Sequence, residues 1–490
     1  MALSSSKITI RALLSAALIT TSSVATSAEY WVGKSGSDSN GCTNKTSDTC
    51  FTIQKGVSLL AAGDILNVKA GTYSDDGGNS AYKPSGVNCG WIDSTPPSSS
   101  VCIDLHASAS NPITIQAAPG DEGKVIIDSQ GSRLGFHLQH SDYIHIRGFN
   151  FINTSVIAIA TWGQPYNSVA DEDLLSVGVV IENNQIIGVE GPSGKNVSGV
   201  GMWSSKNWLV RNNRIDDVSV AGGQNASGIQ AYGTINALIE NNHITNARFG
   251  VYWKDHFLLD ASGNGVPVVN SEIRFNLIED IQRGFYVAGA NEQAGYNNIH
   301  HNIFRNYSES GVYINHKYNS FPGQAKDLTI SHNLFDGSNN AGVSGIWNDV
   351  YLNTRITGNI FARNTYSINF HLWSDPTEHP ELLASDYNVF HSSFGKVRMD
   401  GYNGPTYSSL SAWQSALAAN SYSLGIDNPG QNSVTRSAAD IDERRNLRIM
   451  ANGSSAGPYQ YGTEIVGLLG EYFAAIPGPM PPGQLSIKVY

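Results

Sequence analysis

Ala237-Leu-Ile-Glu-Asn-Asn242, followed shortly by Gly250-Val-Tyr-Trp-Lys-Asp-His256, is one unit of a pattern that runs from about residue 142 to residue 400. The first half recurs as Val179-Val-Ile-Glu-Asn-Asn184, Trp208-Leu-Val-Arg-Asn-Asn213, Ser271-Glu-Ile-Arg-Phe-Asn276 and Asn298-Ile-His-His-Asn302. It continues as Thr329-Ile-Ser-His-Asn333, Arg355-Ile-Thr-Gly-Asn359 and Asp386-Tyr-Asn388, with Tyr143-Ile-His-Ile-Arg-Gly-Phe-Asn150 ahead of the series. The closing asparagines, from Asn150 on, are spaced 34, 29, 29, 34, 26, 31, 26 and 29 residues apart. Self-similarity at such a period marks a solenoid, in which each repeat buries its apolar face against its neighbours. The units are short runs alternating apolar and polar residues, broken by Asn and Gly, which excludes a helical solenoid. The Asn column has a structural reading, because Asn tolerates left-handed backbone and stacked amides bond along a stack.

The second half of each unit usually opens with glycine: Gly201-Met-Trp-Ser, Gly228-Ile-Gln-Ala-Tyr-Gly, Gly284-Phe-Tyr-Val-Ala-Gly, Gly311-Val-Tyr-Ile-Asn-His and Gly345-Ile-Trp-Asn-Asp, with Ser367-Ile-Asn-Phe-His-Leu as the last. Strand alternation puts Val, Ile or Phe inward and the next residue outward. In-register stacking then predicts two outward columns. One holds Gln230, Tyr252, Tyr286, Tyr313, Trp347 and Asn369; the other holds Trp203, Tyr232, Lys254, Ala288, Asn315, a position near Asp349, and His371.

Composition agrees with a turn-rich β protein. Hydrophobic residues are 40% and charged residues 14%, with 50 glycines, which rejects disorder. A net charge of −11 and the lack of any Lys/Arg run argue against a nucleic-acid binder. Lys7 and Arg11 precede the apolar run Ala12 to Ile19 and small residues up to Ala28, so residues 1–28 read as a secretory signal. No stretch is apolar for the roughly 20 residues a membrane span needs. Cys42 and Cys50, and Cys89 and Cys102, are expected to pair locally as disulfides, since none has the spacing of a zinc site.

Ahead of the repeats, the order of Tyr30-Trp-Val-Gly-Lys-Ser-Gly-Ser-Asp38, a helix from Thr52 to about Ala61, and Gly63-Asp-Ile-Leu-Asn-Val-Lys-Ala-Gly-Thr-Tyr73 resembles the opening of many secreted right-handed parallel β-helix proteins. The expectation is therefore an all-β, right-handed parallel β-helix over residues 29–400 with an N-terminal helical cap. Residues 401–490, with a short serine-capped helix at Tyr407–Leu417 and a Pro-rich tail, are expected to form an irregular C-terminal cap.

An outward face lined by Trp203, Tyr232, Tyr252, Tyr286, Tyr313 and Trp347 admits two readings. Aromatic planes suit sugar rings. Alternatively, long insertions at 163–176, 187–199 and 257–268 cover the face and make these residues packing. Lys254, central on this face, is either a solvated surface charge or a base whose proton affinity is lowered by its surroundings. The segment from Lys254 through Glu272-Ile-Arg-Phe-Asn-Leu-Ile-Glu-Asp-Ile-Gln-Arg-Gly-Phe-Tyr-Val-Ala-Gly-Ala-Asn291 is similar to the catalytic coils of β-helix polysaccharide lyases of the alginate and chondroitin lyase group. That resemblance implies β-elimination of a uronic-acid polymer, alginate-like or pectate-like, with Lys254 abstracting the C5 proton. The family's partner arginine falls at Ala288, and Gln230 and Tyr232 stand where its calcium-binding carboxylates would be. Arg283, Lys317 or calcium is left to neutralise the substrate carboxylate, and Tyr286, Tyr313 or His316 to protonate the leaving oxygen. Trp203, Gln230, Tyr232, Tyr252, Tyr313, Lys317, Trp347 and His371 are the candidate substrate contacts. A glycoside hydrolase on the same fold is the rival. It needs two carboxyls roughly 5–5.5 or 6.5–9.5 Å apart, and Asp255, Glu292 and Asp349 offer no two in one column on adjacent coils. A non-catalytic glycan-binding module is the third reading. All three imply a secreted monomer with a polysaccharide partner and neither nucleic acid nor membrane.

Overall fold

In the computed structural model, residues 27–90, 96, 98–162, 175–223, 225–254, 271–288, 297–315, 328–338, 340–349, 354–370, 382–391, 395–399, 405–419, 430–436, 449–451 and 454–456 are described. The signal segment and the Pro-rich tail lie outside them.

The chain coils through three parallel ladders, so the fold is the expected right-handed parallel β-helix. The first ladder has twelve strands among the described residues, from Glu29–Val32 through Leu238–Glu240 to Leu382–Asp386. The second runs from Gly71–Tyr73 through Gln185–Gly191 and Arg214–Val220 to Val434–Arg436. The third runs from Ser99–Ile103 through Val197–Lys206 and Ala226–Ile235 to Val397–Arg398. Two strands per coil were legible in the sequence, and the structure has three. The missing one follows each Asn directly. In His243–Lys254 and Leu277–Ala288 it runs without interruption into the third-ladder strand, so no turn residue separates them. The segment 187–199, expected as an insertion, is mostly strand. Val434–Arg436 adds a rung beyond the boundary expected at residue 400.

Asn184, Asn213, Asn242, Asn276, Asn302, Asn333, Asn359 and Asn388 are each fully buried and form one continuous ladder. In each step the backbone N–H and the side-chain Nδ2 both donate to the Oδ1 of the next asparagine, at 3.0 and 3.1 Å for Asn184 to Asn213 and 2.9 and 3.0 Å for Asn242 to Asn276. Ser433 ends the series, its hydroxyl accepting from the Asn388 amide at 3.1 Å. Two details differ from the sequence reading. Left-handed backbone belongs to the residue before each ladder Asn, such as Asn183, Asn212, Asn241, Phe275 and His301. Asn150 is not a rung: Phe149 takes that place, its amide donating to Asn184 Oδ1, and Asn150 aligns with Gln185. Gly148, with φ +84°, supplies the left-handed turn one residue earlier than the Asn pattern implied.

The glycine opening each third-ladder strand is explained by space. A Cβ on Gly250 would lie 2.3 Å from Ile278 Cγ2 and 2.5 Å from the Gly284 carbonyl oxygen. Gly228, Gly284 and Gly311 meet the same pair of obstacles, an inward Ile or Phe and the next glycine's carbonyl. Only a residue without Cβ lets the strand turn this tightly over the core. The core itself is single-file columns such as Ile181, Val210, Ile239 and Ile273, each fully buried. On the second ladder Phe304, Phe335, Phe361 and Phe390 stack at 5.2–5.5 Å.

A short helix packs against each end of the described coils. At the N-terminus the helix is Ile53–Val57, shorter than expected, capped by Thr52 and by the Asp38 carboxylate, which accepts from the Phe51 and Thr52 amides. Buried Gln54 ties it to the third ladder, accepting from Cys102 N at 2.7 Å and donating to Cys102 O at 2.9 Å. The disulfides Cys42–Cys50 and Cys89–Cys102 form as expected. At the other end, helix Leu410–Ala418 is capped by Ser409 and buries Trp413 and Leu417 in the same core.

Outside, the first ladder carries a row of opposite charges in register: Arg147, Glu182, Arg211, Glu240 and Arg274. Arg211 reaches Glu182 at 2.7 Å, Arg274 reaches Glu240 at 2.7 Å and Glu272 at 2.7 Å, and His300 closes on Glu272 at 2.7 Å.

Candidate functional site

The outer surface of the third ladder holds the expected columns in register. Gln230, Tyr252, Tyr286, Tyr313, Trp347 and Asn369 align in one row, and Trp203, Tyr232, Lys254, Ala288 and Asn315 in the other. The Asp349 amide donates to Ile314 O at 3.1 Å, which continues the second row to Asp349. A third row, not anticipated from the sequence, carries Ser227, Phe249, Arg283, Ser310 and Ser344.

Among the described residues these rings are buried rather than an open aromatic platform; 163–174 and 257–268, expected to cover the face, lie outside them. Trp203, Tyr232, Tyr252, Tyr286 and Tyr313 are buried, Tyr313 being the most accessible at 7%. Their ring faces are also turned on one another. Tyr252 and Tyr286 stack at 5.0 Å with planes 9° apart, and Trp203 and Tyr232 at 5.6 Å with planes 19° apart. Trp347, at the end of the row, is the half-buried exception.

Lys254 ends strand His243–Lys254 and is half-buried, its Nζ 5.5 Å from the centre of the Tyr232 ring. Tyr286 is one coil on, and Asn315, two coils on, donates its amide to the Tyr286 hydroxyl at 3.3 Å. Gln230 donates likewise to the Tyr232 hydroxyl at 3.1 Å. Arg283, whose reach the sequence left open, lies 4.5 Å from the Tyr286 ring centre and 4.1 Å from that of Tyr313. The small Ser310 beside it in register leaves room for the guanidinium. Arg283 also pairs with Glu309 at 2.5 Å, and Gln282 donates to the other Glu309 oxygen at 2.7 Å. Burial alone would lower the proton affinity of Arg283, but the Glu309 bond and charge outweigh it and the guanidinium stays charged. Sequence reasoning missed Glu309, because it lies one coil from Arg283 and outside the columns.

Asp349 is the second finding. It is 4% exposed, and Trp347 Nε1 donates to its Oδ1 at 2.6 Å. Burial pushes its carboxyl up to about 8, against the opposing effects of the Trp347 bond and the Arg283 charge. Burial, then the Asp349 charge, pushes the Tyr313 phenol well above its ordinary range. Burial thus favours the neutral form of this carboxyl, on the same face as a charged arginine.

Asp255, His256, Glu292, His316, Lys317 and His371 lie outside the described residues. Among the described residues no three of His, Cys, Asp and Glu converge as metal ligands. At the position suggested for calcium, Gln230 and Tyr232 are buried and bonded to each other, which does not fit a divalent cation.

No family model matches the sequence, and no curated protein matches it. Among solved structures, the chain is similar to a mannuronic acid specific polysaccharide lyase from human gut microbiota, at 15% identity over 71% of this chain and 73% of that one, with a TM-score of 0.42. It is similar to the pectate lyase Pel9A at 13% identity over 89% and 96%, with a TM-score of 0.40. It is also similar to a tailspike protein of the E. coli bacteriophage HK620 at 14% identity over 71% and 65%, with a TM-score of 0.44. What these proteins share with the chain is the β-helix.

Proposed function

We propose that this protein is a secreted, carbohydrate-active enzyme that cleaves a uronic-acid polysaccharide by β-elimination, with Lys254 as the base. The observation that supports it is the placement of Lys254 one coil from Tyr286 on a single outward face. Their backbones are diagonal neighbours about 8 Å apart at ordinary strand spacing, close enough for two long side chains to flank one sugar bond. Lys254 takes the C5 proton, the C5 electrons form the C4–C5 double bond, and the C4–O bond breaks. The Tyr286 hydroxyl gives its proton to the departing oxygen, and solvent restores both side chains. Arg283, already compensated by Glu309, serves the phenols rather than the substrate: its charge lies behind the rings of Tyr286 and Tyr313 and favours the phenolate that forms during transfer. Secretion is supported by the two disulfides, which persist in oxidising compartments.

The test is incubation with alginate, pectate, glycosaminoglycans and neutral glycans, following unsaturated-uronate absorbance alongside new reducing ends. Absorbance that disappears in Lys254→Ala, with the fold intact, is the expected result. A second reading, glycoside hydrolysis, is favoured by Asp349, since a carboxyl kept protonated at neutral pH is what an acid catalyst requires. Reducing ends without absorbance would select it. Silence in both assays on every polymer would leave a glycan-binding module.

A further inference from the structure

Beyond the region of Lys254, the polar groups around Trp347 have no role in the elimination. Trp347 is the half-buried ring of its row, with Tyr313 before it at 5.2 Å and Asn369 after it in register. Its indole is committed to Asp349. Asn369 is 1% exposed, and its Oδ1 meets no hydrogen-bond partner among the described residues. A buried polar atom left unpaired costs about 1–3 kcal/mol, so this one, in register with a partly open indole, calls for an outside partner.

We propose that Trp347, Asp349 and Asn369 form a subsite for a uronate residue of the bound polymer, with the Asp349 carboxyl hydrogen-bonding the uronate carboxylate. The proposal rests on the uronan reading above and adds where the polymer's charge is recognised. Asp349 lies in the Lys254 row three coils on, about 14 Å away at ordinary strand spacing, so the subsite serves a sugar removed from the bond that breaks. A neutral carboxyl donates to a carboxylate; an ionised one repels it. The charged and titratable groups facing Asp349 among the described residues are Arg283 and Tyr313, with Glu309 behind them, and Glu309 compensates Arg283.

The experiment is equilibrium binding of oligomannuronate, oligoguluronate and oligogalacturonate, each against its carboxyl-reduced counterpart, using Lys254→Ala to prevent turnover. Binding is expected to weaken above pH 8 and to favour the uronates. In the Lys254→Ala background, Asp349→Ala should weaken it about tenfold. Asp349→Asn, which keeps a donor and the shape, should retain affinity and lose the alkaline decline. Equal binding of reduced and native oligomers, or an Asp349→Ala protein that binds as tightly as its parent, would overturn the subsite. So would an Asp349→Asn enzyme, otherwise wild type, that loses kcat with KM unchanged, because that marks an acid catalyst. Failure of the elimination reading is separate: it is seen as absent unsaturated product whatever the binding shows.

Discussion

The outer rows of the first and third ladders obey one register rule and put charge to opposite uses. On the first, Arg147, Glu182, Arg211, Glu240 and Arg274 alternate in sign, so that every acid meets a base on a neighbouring coil or strand position. On the third, Lys254, Arg283 and Asp349 stand among aromatic rings, and the one strong pair, Arg283 with Glu309, forms off the column. A base bonded from a neighbouring coil holds a carboxylate ionised, as His300 does Glu272. Burial among rings instead pushes a carboxyl towards its neutral form. Glu272 and Asp349 show the two outcomes, the first held down to about 2 by the His300 bond despite burial, the second raised to about 8 by burial. A solenoid can thus reserve one face for cohesion and another for acid–base chemistry with no change of backbone.

The largest effect that would break this contrast concerns turnover. Lys254→Ala should lower elimination by about a hundredfold to ten-thousandfold, whereas Arg211→Ala should leave kcat alone; rates on the active polymer check both. Glu240→Gln comes next. It leaves Arg274 half-paired in a mostly buried setting and should cost about 2–3 kcal/mol by denaturant unfolding. Asp349→Asn should act in the opposite direction. The folded state keeps a proton that the unfolded chain releases between the ordinary value of 3.8 and about 8, so this residue makes stability fall as pH rises through that window. Removing the titration should stabilise the protein by about 1–2 kcal/mol at neutral pH, with little change near pH 4. A destabilised Asp349→Asn protein would erase the distinction between the faces. The smallest effect is the acid limb of Glu272. Its folded value lies below 4.5, so its contribution is present above that pH and is lost as pH falls towards 2. Glu272→Gln should flatten that limb by about 1 kcal/mol, in melts taken across the range.

The coil was readable from the sequence because its two signals are single residues with a single job. Asn recurs where amides stack, and Gly where a Cβ would strike Ile278 or Phe304. Asn150 misled because Gly148, not an asparagine, makes the preceding turn, which shifts the rung to Phe149. At the candidate site, register followed from alternation, and so the rows of Tyr252, Tyr286 and Tyr313 came out as expected. Burial and ring orientation did not, since both depend on what packs beside a side chain rather than on its period. The Arg283–Glu309 pair was invisible for a related reason: Glu309 is placed by the approach to its strand, where no repeat operates. Asp349 was legible as an outward acid, but its raised proton affinity comes from burial in the enclosing protein, against the Trp347 bond.

The asparagine and glycine clamps also govern where the chain can grow. From Gly228 to Asn242 is 14 residues, but from Gly250 to Asn276 is 26, and from Gly311 to Asn333 is 22. Segments of such different length close on the same ladder with hydrogen bonds of 3.0 Å. In sequence the surplus follows Lys254 in one coil and Asn315 in another, both residues at the border of the candidate site. Sequence can be spliced into that border without disturbing the rungs on either side, so the specificity of such a scaffold can diverge faster than its architecture.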